Sequence, residues 1–186
     1  MRIISGVHKG RKITAPKTLP VRPTTDMAKE SLFNILGNHF YFNQISVLDL
    51  FSGTGNIAYE FVSRGTTEIT CVDQHYGCIK FISQTAKQFD MPIKTIKSDV
   101  FKLLGKYRVQ TDIIFADPPY HFPENDFYKI PKLVFGNQLL NKNGLLVIEH
   151  SKHTKLENCE YFSYSKTYGG STFSFFEKQE PSILNT

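Results

Sequence analysis

The segment Asp117-Pro118-Pro119-Tyr120 contains residue types that point directly to chemistry on a nucleobase. Two consecutive prolines fix φ and remove two N–H donors, so the loop is rigid and no following N–H can engage the Pro118 carbonyl. The Asp117 carboxylate and the Pro118 carbonyl then form a pair of acceptors suited to the two hydrogens of an exocyclic amine. Tyr120 offers an aromatic face on which an extruded base can stack. We therefore expect these four residues to be catalytic.

An aromatic amine is a poor nucleophile because its lone pair is delocalised into the ring. Two acceptors that hold both hydrogens out of the ring plane turn that lone pair toward an electrophile. The catalysis expected here is thus orientation and electrostatic stabilisation more than proton abstraction. Asp117 can take the proton after transfer, when the ammonium that has formed is strongly acidic.

A nucleotide site is predicted by Gly53-Thr54-Gly55-Asn56-Ile57-Ala58, which follows a short apolar run and fits the pattern G-x-G-x-x-G/A. Glycines at these positions let the backbone approach a ligand closely. Asp73 lies 20 residues after Gly53, at the end of the next predicted strand, where a carboxylate can accept hydrogen bonds from both ribose hydroxyls. These features by themselves fit both NAD and S-adenosylmethionine.

Asp49 favours S-adenosylmethionine over NAD. It stands just before the glycine loop, where it would repel a pyrophosphate but could lie near an ammonium. S-adenosylmethionine has that ammonium, has no phosphates, and carries an electrophilic methyl group. Asp99 ends the third predicted strand and can accept from the adenine amine, while the Val100 N–H can donate to the ring. The expected cofactor contacts are Asp49, Phe51, Ser52, Gly53, Gly55, Asp73, Asp99 and Val100.

Strands alternate with helices over most of the chain. Apolar runs at 47–50, 69–72, 93–97, 113–116 and 145–148 predict five strands. Such alternation favours a mostly parallel sheet with helices on both faces and ligands at the carboxyl ends of the strands. Two aromatic segments of period two, 161–168 and 172–176, predict an antiparallel hairpin at the sheet edge. We expect an α/β fold of Rossmann-like type with this C-terminal hairpin.

The front of the chain is basic, with seven Lys and Arg residues and one acid among residues 1–29. Residues 2–17 alternate around two glycines and predict a small hairpin, and the prolines that follow keep its link to the body non-helical. The segment Thr24-Thr25-Asp26 can cap a helix. The apolar residues along one side of that helix are Met27, Leu32, Phe33, Leu36 and Phe40. We expect a phosphate backbone to bind Arg2, Lys9, Arg11, Lys12 and Arg22.

Composition excludes several classes of protein. The chain has 186 residues, of which 40% are hydrophobic and 21% charged, so collagen-like, disordered and mini-protein classes do not fit. Neither a signal peptide nor an apolar stretch of membrane-spanning length is evident, which predicts a cytoplasmic protein. Three cysteines without C-x-x-C spacing indicate reduced thiols. We expect no metal, and we interpret His150 and His153 as surface residues.

These motifs together resemble one enzyme family. The matching segments are Arg2–Gly6, Gly10–Lys12, Arg22–Asp26, Ser31–Asn34, Leu48–Gly55, Asp117–Tyr120 and Tyr168–Gly169. The chain is similar to class I S-adenosylmethionine-dependent methyltransferases and, more narrowly, to the bacterial 16S ribosomal RNA guanine-N2 methyltransferases. The resemblance implies methylation of one guanine N2 in 16S RNA, within the small subunit or its assembly intermediate. The sequence departs from the family at Met27-Ala28-Lys29-Glu30, where R-x-R-E is typical.

Two other functions remain open. An adenine-N6 methyltransferase on RNA or DNA is possible because D-P-P-Y serves any exocyclic amine. A ribosome-assembly factor that keeps the fold without catalysis is a second alternative, although Asp117 and the glycine loop argue against it. We expect a basic arm at 1–23, a methyltransferase domain at 24–179, a disordered tail at 180–186, and a monomer.

Overall fold

A seven-stranded sheet forms the centre of the molecule in the computed structural model, which describes residues 1–19, 24–119 and 121–178. The strands are β1 (Ser46–Leu50), β2 (Glu68–Asp73), β3 (Ile93–Lys97), β4 (Thr111–Ala116), β5 (Leu140–Ser151), β6 (Phe162–Tyr168) and β7 (Ser171–Phe176). Their order in the sheet is β3-β2-β1-β4-β5-β7-β6. The first five run parallel and the last two antiparallel. The predicted α/β fold and its C-terminal hairpin are confirmed.

Helices cover both faces of the sheet. In the described residues they are α1 (Asp26–Gly37), α2 (Asn56–Ser63), α3 (Tyr76–Gln88), α4 (Val100–Lys106) and α5 (Glu124–Gly136). Alternate residues of each parallel strand point to opposite faces, so the buried side chains form two hydrophobic clusters. One cluster joins α1, α2 and α3 to the sheet, and the other joins α4 and α5. The carboxyl ends of β1 to β5 meet between these two helical layers.

The basic front of the chain is a hairpin that packs on this body. Arg2 and Lys12 pair as an antiparallel bridge, and the Ile3 N–H donates to the Arg11 carbonyl at 3.0 Å. Ile3 and Ile13 are buried in the same cluster as α1 to α3. The predicted hairpin is therefore confirmed, and its apolar side chains belong to the main core. Residues 20–23 and 179–186, including Arg22 and the predicted tail, lie outside the described residues.

Three sequence predictions were wrong. β5 begins at Leu140, before the predicted start at residue 145, and it contains an irregularity where Asn143 has a φ of 62° and the register against β4 shifts. Met27 is 60% exposed and does not join the buried side of α1. His150, which was predicted to lie at the surface, is buried. Its Nε2 lies 2.7 Å from the Ser174 hydroxyl.

Neither a membrane span nor a metal cluster is found in the part of the chain that the structure describes. No helix there is long and apolar enough to cross a bilayer. No group of three or more His, Cys, Asp or Glu side chains in these residues is placed to hold a metal ion. Cys71, Cys78 and Cys159 are free thiols.

Candidate active site

The loop that follows β1 is held against β2 by one serine. The Ser52 hydroxyl donates to the Asp49 carbonyl at 2.6 Å and accepts from the Val72 N–H at 2.9 Å. The backbone adopts left-handed conformations at Phe51, Gly53 and Gly55, with φ of 58°, 53° and 80°. At Gly55 an added Cβ would lie 2.9 Å from the Tyr59 ring, so a side chain there would have to displace that ring and would strain a backbone with a φ of 80°. The loop therefore presents its backbone at the carboxyl edge of the sheet.

The carboxylates that follow β2 and β3 both form hydrogen bonds with backbone N–H groups. Asp73 accepts from Gly53 at 2.9 Å and from His75 at 2.7 Å, so it fastens the glycine loop to the end of β2. Asp99 caps α4 by accepting from the Lys102 N–H at 2.9 Å. Val100 begins α4, and a first-turn N–H has no partner within its own helix. The ribose and adenine contacts of these residues stay predictions.

Asp49 is a buried acid beneath the glycine loop, with only 1% of its surface exposed. Burial raises the pKa of this carboxyl to about 8, and the neighbouring charge of Asp73 adds to the rise. Its Oδ2 lies 3.9 Å from the Cys71 thiol, which can donate a weak hydrogen bond. A buried acid of this kind ionises readily only when a cation arrives beside it. A site of this kind is suited to an ammonium group, which would favour the ionised form of Asp49.

This geometry predicts proton release when the cofactor binds. An ammonium placed beside Asp49 favours the ionised carboxylate, so at pH 7 an acid with a pKa of about 8 gives up its proton on binding. Cofactor affinity is then expected to rise with pH up to about 8. Isothermal titration in two buffers of different ionisation enthalpy measures the protons released, and Asp49→Asn is the control that should release none. Equal heats for the wild type in both buffers would contradict this role.

The loop predicted to be catalytic, which begins at Asp117, continues directly from β4 and stays paired with β1. The Asp117 N–H donates to the Leu50 carbonyl at 3.3 Å, so Asp117 lies beside the start of the glycine loop. The Pro119 carbonyl accepts from the Phe122 N–H at 2.8 Å and closes the turn. Tyr120 is outside the described residues, and base stacking on it stays a prediction. The structure thus brings Asp117, Pro118 and Pro119 to the strand end next to the glycine loop.

Comparisons with known proteins agree with this arrangement. The family described as Conserved hypothetical protein 95 matches residues 1–177. The chain belongs to this family. A relative from Haemophilus influenzae named Ribosomal RNA small subunit methyltransferase D is 31% identical over 171 residues, which cover 89% of this chain and 86% of the relative. The predicted methyltransferase family is confirmed.

Solved structures confirm the fold of this family member. A hypothetical protein from Thermus thermophilus is similar with a TM-score of 0.83 at 20% identity, covering 96% of this chain and 99% of that one. A Thermus thermophilus 16S rRNA N2 G1207 methyltransferase in complex with AdoMet and guanosine is similar with a TM-score of 0.65 at 19% identity. That match covers 87% of this chain and 45% of the other.

Three aromatic rings, from the glycine loop, the start of α4 and the segment after Pro119, contact one another in this family member. Phe122 lies edge-on to Phe51 with ring centroids 5.3 Å apart, and it stacks on Phe101 with centroids 5.9 Å apart. The sequence analysis names Phe51 as a cofactor contact but does not name Phe101 or Phe122 as site residues. Phe101 and Phe122 therefore contact a predicted cofactor residue directly or through one ring, and both also pack against the hydrophobic cluster of α4 and α5. The sequence signal that pointed to them was position: Phe101 directly follows Val100, and Phe122 lies just after the D-P-P-Y segment.

A buried ion pair connects the basic arm to the body. Lys29 Nζ lies 3.6 Å from Glu60 Oε2, and both side chains are almost completely buried. Lys29 also donates to the Arg2 carbonyl at 2.7 Å and to Asn56 Oδ1 at 2.8 Å. Glu60 accepts from the backbone N–H groups of residues 4 and 5 at 2.8 and 3.0 Å. The pair thus fixes the backbone of the arm next to the first residue of α2.

The ion pair gives Lys29, which lies in the segment that departs from R-x-R-E, a structural role. Lys29 keeps a cation at the second arginine position of that pattern, where it is buried and forms the ion pair with Glu60. Met27 stands at the first arginine position and is exposed, so the departure removes one surface charge beside the arm. The sequence did not predict this buried ion pair, because Lys29 lies in a segment in which most charged residues are basic.

The arm presents several cations to solvent. Lys9, Arg11 and Lys12 are exposed, and the Arg11 guanidinium lies 4.1 Å from the centre of the Phe89 ring. Arg2 is also exposed but forms an ion pair with Asp26 at 3.0 Å. Lys9, Arg11 and Lys12 therefore form the arm surface that remains a candidate for RNA binding.

Proposed function

We propose that this chain transfers a methyl group from S-adenosylmethionine to N2 of a guanine in 16S ribosomal RNA, within the small subunit or its assembly intermediate. The observation that carries the proposal is the meeting of two features at one sheet edge. These are the Asp117 and Pro118 acceptors and the glycine loop with its buried acid, Asp49. The family relative that is named for the small subunit supports the substrate. The Thermus enzyme that methylates guanine N2 supports the reaction and the cofactor.

The residues of the site fit S-adenosylmethionine. Asp49 would hold the ammonium, the backbone of the glycine loop would lie along the aminoacyl chain, and Asp73 would accept from the ribose. Asp99, Val100 and the ring of Phe101 would border the adenine. When bound, this cofactor supplies an electrophilic methyl group.

The catalytic loop makes the guanine amine nucleophilic. Asp117 and the Pro118 carbonyl accept the two N2 hydrogens and turn the nitrogen lone pair toward the methyl carbon. With the cofactor bound, the new N–C bond would replace the carbon–sulfur bond, and the positive charge would pass from sulfur to nitrogen. The Asp117 carboxylate stabilises that charge and takes the proton that leaves.

The arm is expected to hold the phosphate backbone of the RNA. Arg11→Ala and Lys12→Ala should each weaken RNA binding. Each should also make the negative slope of log affinity against log salt concentration less steep, by about 0.7 to 1. The matched control is Lys106→Ala, which removes an exposed lysine at the end of α4, away from the arm. Filter binding over a range of salt concentrations gives both slopes. An unchanged slope in the arm variants would refute this role.

A methyl-transfer assay tests the function. Small subunits purified from cells that lack this protein are incubated with it and labelled S-adenosylmethionine, beside naked 16S RNA and DNA, and the nucleosides are then analysed. Label in N2-methylguanine from the subunits is the expected result. Label in N6-methyladenine would assign the chain to the adenine enzymes. Cofactor binding without transfer to any substrate would favour an assembly factor.

A further inference from the structure

Glu149 lies beside the catalytic loop on the neighbouring strand. β5 follows β4 in the sheet, and Ala116 is level with Ile148, so the next residues, Asp117 and Glu149, are level with one another. Adjacent strands are about 4.8 Å apart. Asp117 still donates its N–H to β1, so the extended backbone continues to this residue. The two acidic residues thus stand next to each other at the carboxyl edge.

The side chain of Glu149 is buried and is held on the face that carries α1 and α2. Only 7% of Glu149 is exposed, and its Oε2 accepts from the Thr24 hydroxyl at 3.0 Å. Val147, two residues earlier, packs in the core cluster of that face. Phe115, two residues before Asp117, packs in the same cluster. Alternation along the strands therefore directs both carboxylates to one face.

Thr24 is itself held in place by the first residue of α2. Its carbonyl accepts from Asn56 Nδ2 at 3.3 Å, and Asn56 Oδ1 accepts from Lys29. Because Asn56 directly follows Gly55, this chain of hydrogen bonds runs from the glycine loop to the Glu149 carboxylate. A carboxylate fixed in this way can make a directional contact with a ligand.

Guanine and adenine differ at the ring atom next to the reactive amine. In guanine N1 carries a hydrogen beside the N2 amine, whereas in adenine N1 presents a lone pair beside the N6 amine. Two acceptors that hold the amine cannot distinguish these bases. A third acceptor beside them can, because it bonds to the guanine N1–H and faces a lone pair in adenine.

We propose that Glu149 determines the choice of base: its carboxylate accepts the guanine N1–H while Asp117 and Pro118 hold the N2 amine. Thr24 is a positioning residue that aims this carboxylate. The inference rests on the proposed function and names the residue that selects guanine for that same site. It supplies the discrimination that D-P-P-Y cannot provide.

The test compares guanine with 2-aminopurine at the methylated position, once that position has been mapped by mass spectrometry of RNA fragments. 2-Aminopurine keeps the amine at C2 but presents a lone pair at N1. Ligated 16S RNA with either base is assembled into small subunits, and kcat and KM are measured. The wild type is expected to prefer guanine by at least about 100-fold in kcat/KM, because a hydrogen bond to a charged acceptor is replaced by repulsion.

Glu149→Gln is expected to reduce transfer to guanine by at least about tenfold and to narrow the preference to less than about tenfold. The reason is that the glutamine amide can donate to the N1 lone pair of 2-aminopurine. Thr24→Val, which removes only the positioning hydroxyl, should reduce transfer to guanine by about three- to tenfold. Glu157→Gln alters an exposed acid beyond β5 and should change neither rate. Thermal unfolding shows whether each variant is folded at the assay temperature.

The base preference of Glu149→Gln decides whether Glu149 selects guanine. An unchanged guanine preference in Glu149→Gln would overturn the inference, even if its rates fall. If Glu149→Gln binds the cofactor more weakly but keeps the wild-type preference for guanine, Glu149 acts on the cofactor and the inference is overturned as well. If the wild type makes no N2-methylguanine in small subunits, the proposed function fails first, and that result is seen before any variant is compared.

Discussion

Asp117→Ala is expected to lower the rate of methyl transfer by at least about 10³-fold while leaving cofactor affinity within about twofold of the wild type. In the proposed mechanism the carboxylate contributes twice to the transition state, because it orients the amine and stabilises the positive charge that moves onto nitrogen. The glycine loop and Asp49 do not depend on this side chain, since Asp117 pairs with β1 through its backbone N–H.

Single-turnover transfer measures the chemical step in this variant, and calorimetric titration measures cofactor binding. Asp117→Asn is the graded variant, because its amide oxygen still accepts a hydrogen bond but carries no charge. We expect its rate to lie between those of the wild type and the alanine variant. Loss of cofactor binding in Asp117→Ala, or transfer at the wild-type rate, would show that the assignment of Asp117 is wrong.

Lys29→Met is expected to destabilise the fold by about 3–5 kcal/mol. Methionine has a similar length and fills the same volume, but it leaves the buried Glu60 carboxylate without one of its two cations. It also leaves the Arg2 carbonyl and the Asn56 amide oxygen without their donor. Burial lowers the pKa of Lys29 and the charge of Glu60 opposes that shift, so the pair must remain intact for the lysine to stay charged.

Urea unfolding of Lys29→Met against wild type measures this loss. Lys29→Arg should retain most of the stability, since it keeps a cation next to Glu60. Lys87→Met is the matched control on the exposed side of α3 and should change the free energy of unfolding by less than about 0.5 kcal/mol. A loss below about 1 kcal/mol in Lys29→Met would mean that the ion pair is not what holds the arm.

The sequence by itself determined the parts of the site that depend on local chemistry. Local backbone requirements make three features recognisable in the sequence. They are the glycines of the loop, the acids that end the strands, and the rigid Asp117-Pro118-Pro119 segment. The alternation of apolar runs then indicated parallel strands, whose carboxyl ends meet at one edge. Where local signals were weak, prediction was incomplete. The alternation predicted helices between the strands but gave no bounds for α4, which has only seven residues, or for α5, which contains Pro131.

Only the tertiary structure decided the roles that depend on which elements are neighbours. Strand order places β5 next to β4, and this brings Glu149 level with Asp117 although 32 residues separate them in the chain. Packing of the arm on α1 and α2 turns Lys29 from a member of a basic segment into a buried partner of Glu60. Such contacts join residues far apart in sequence, and local propensity carries no information about them.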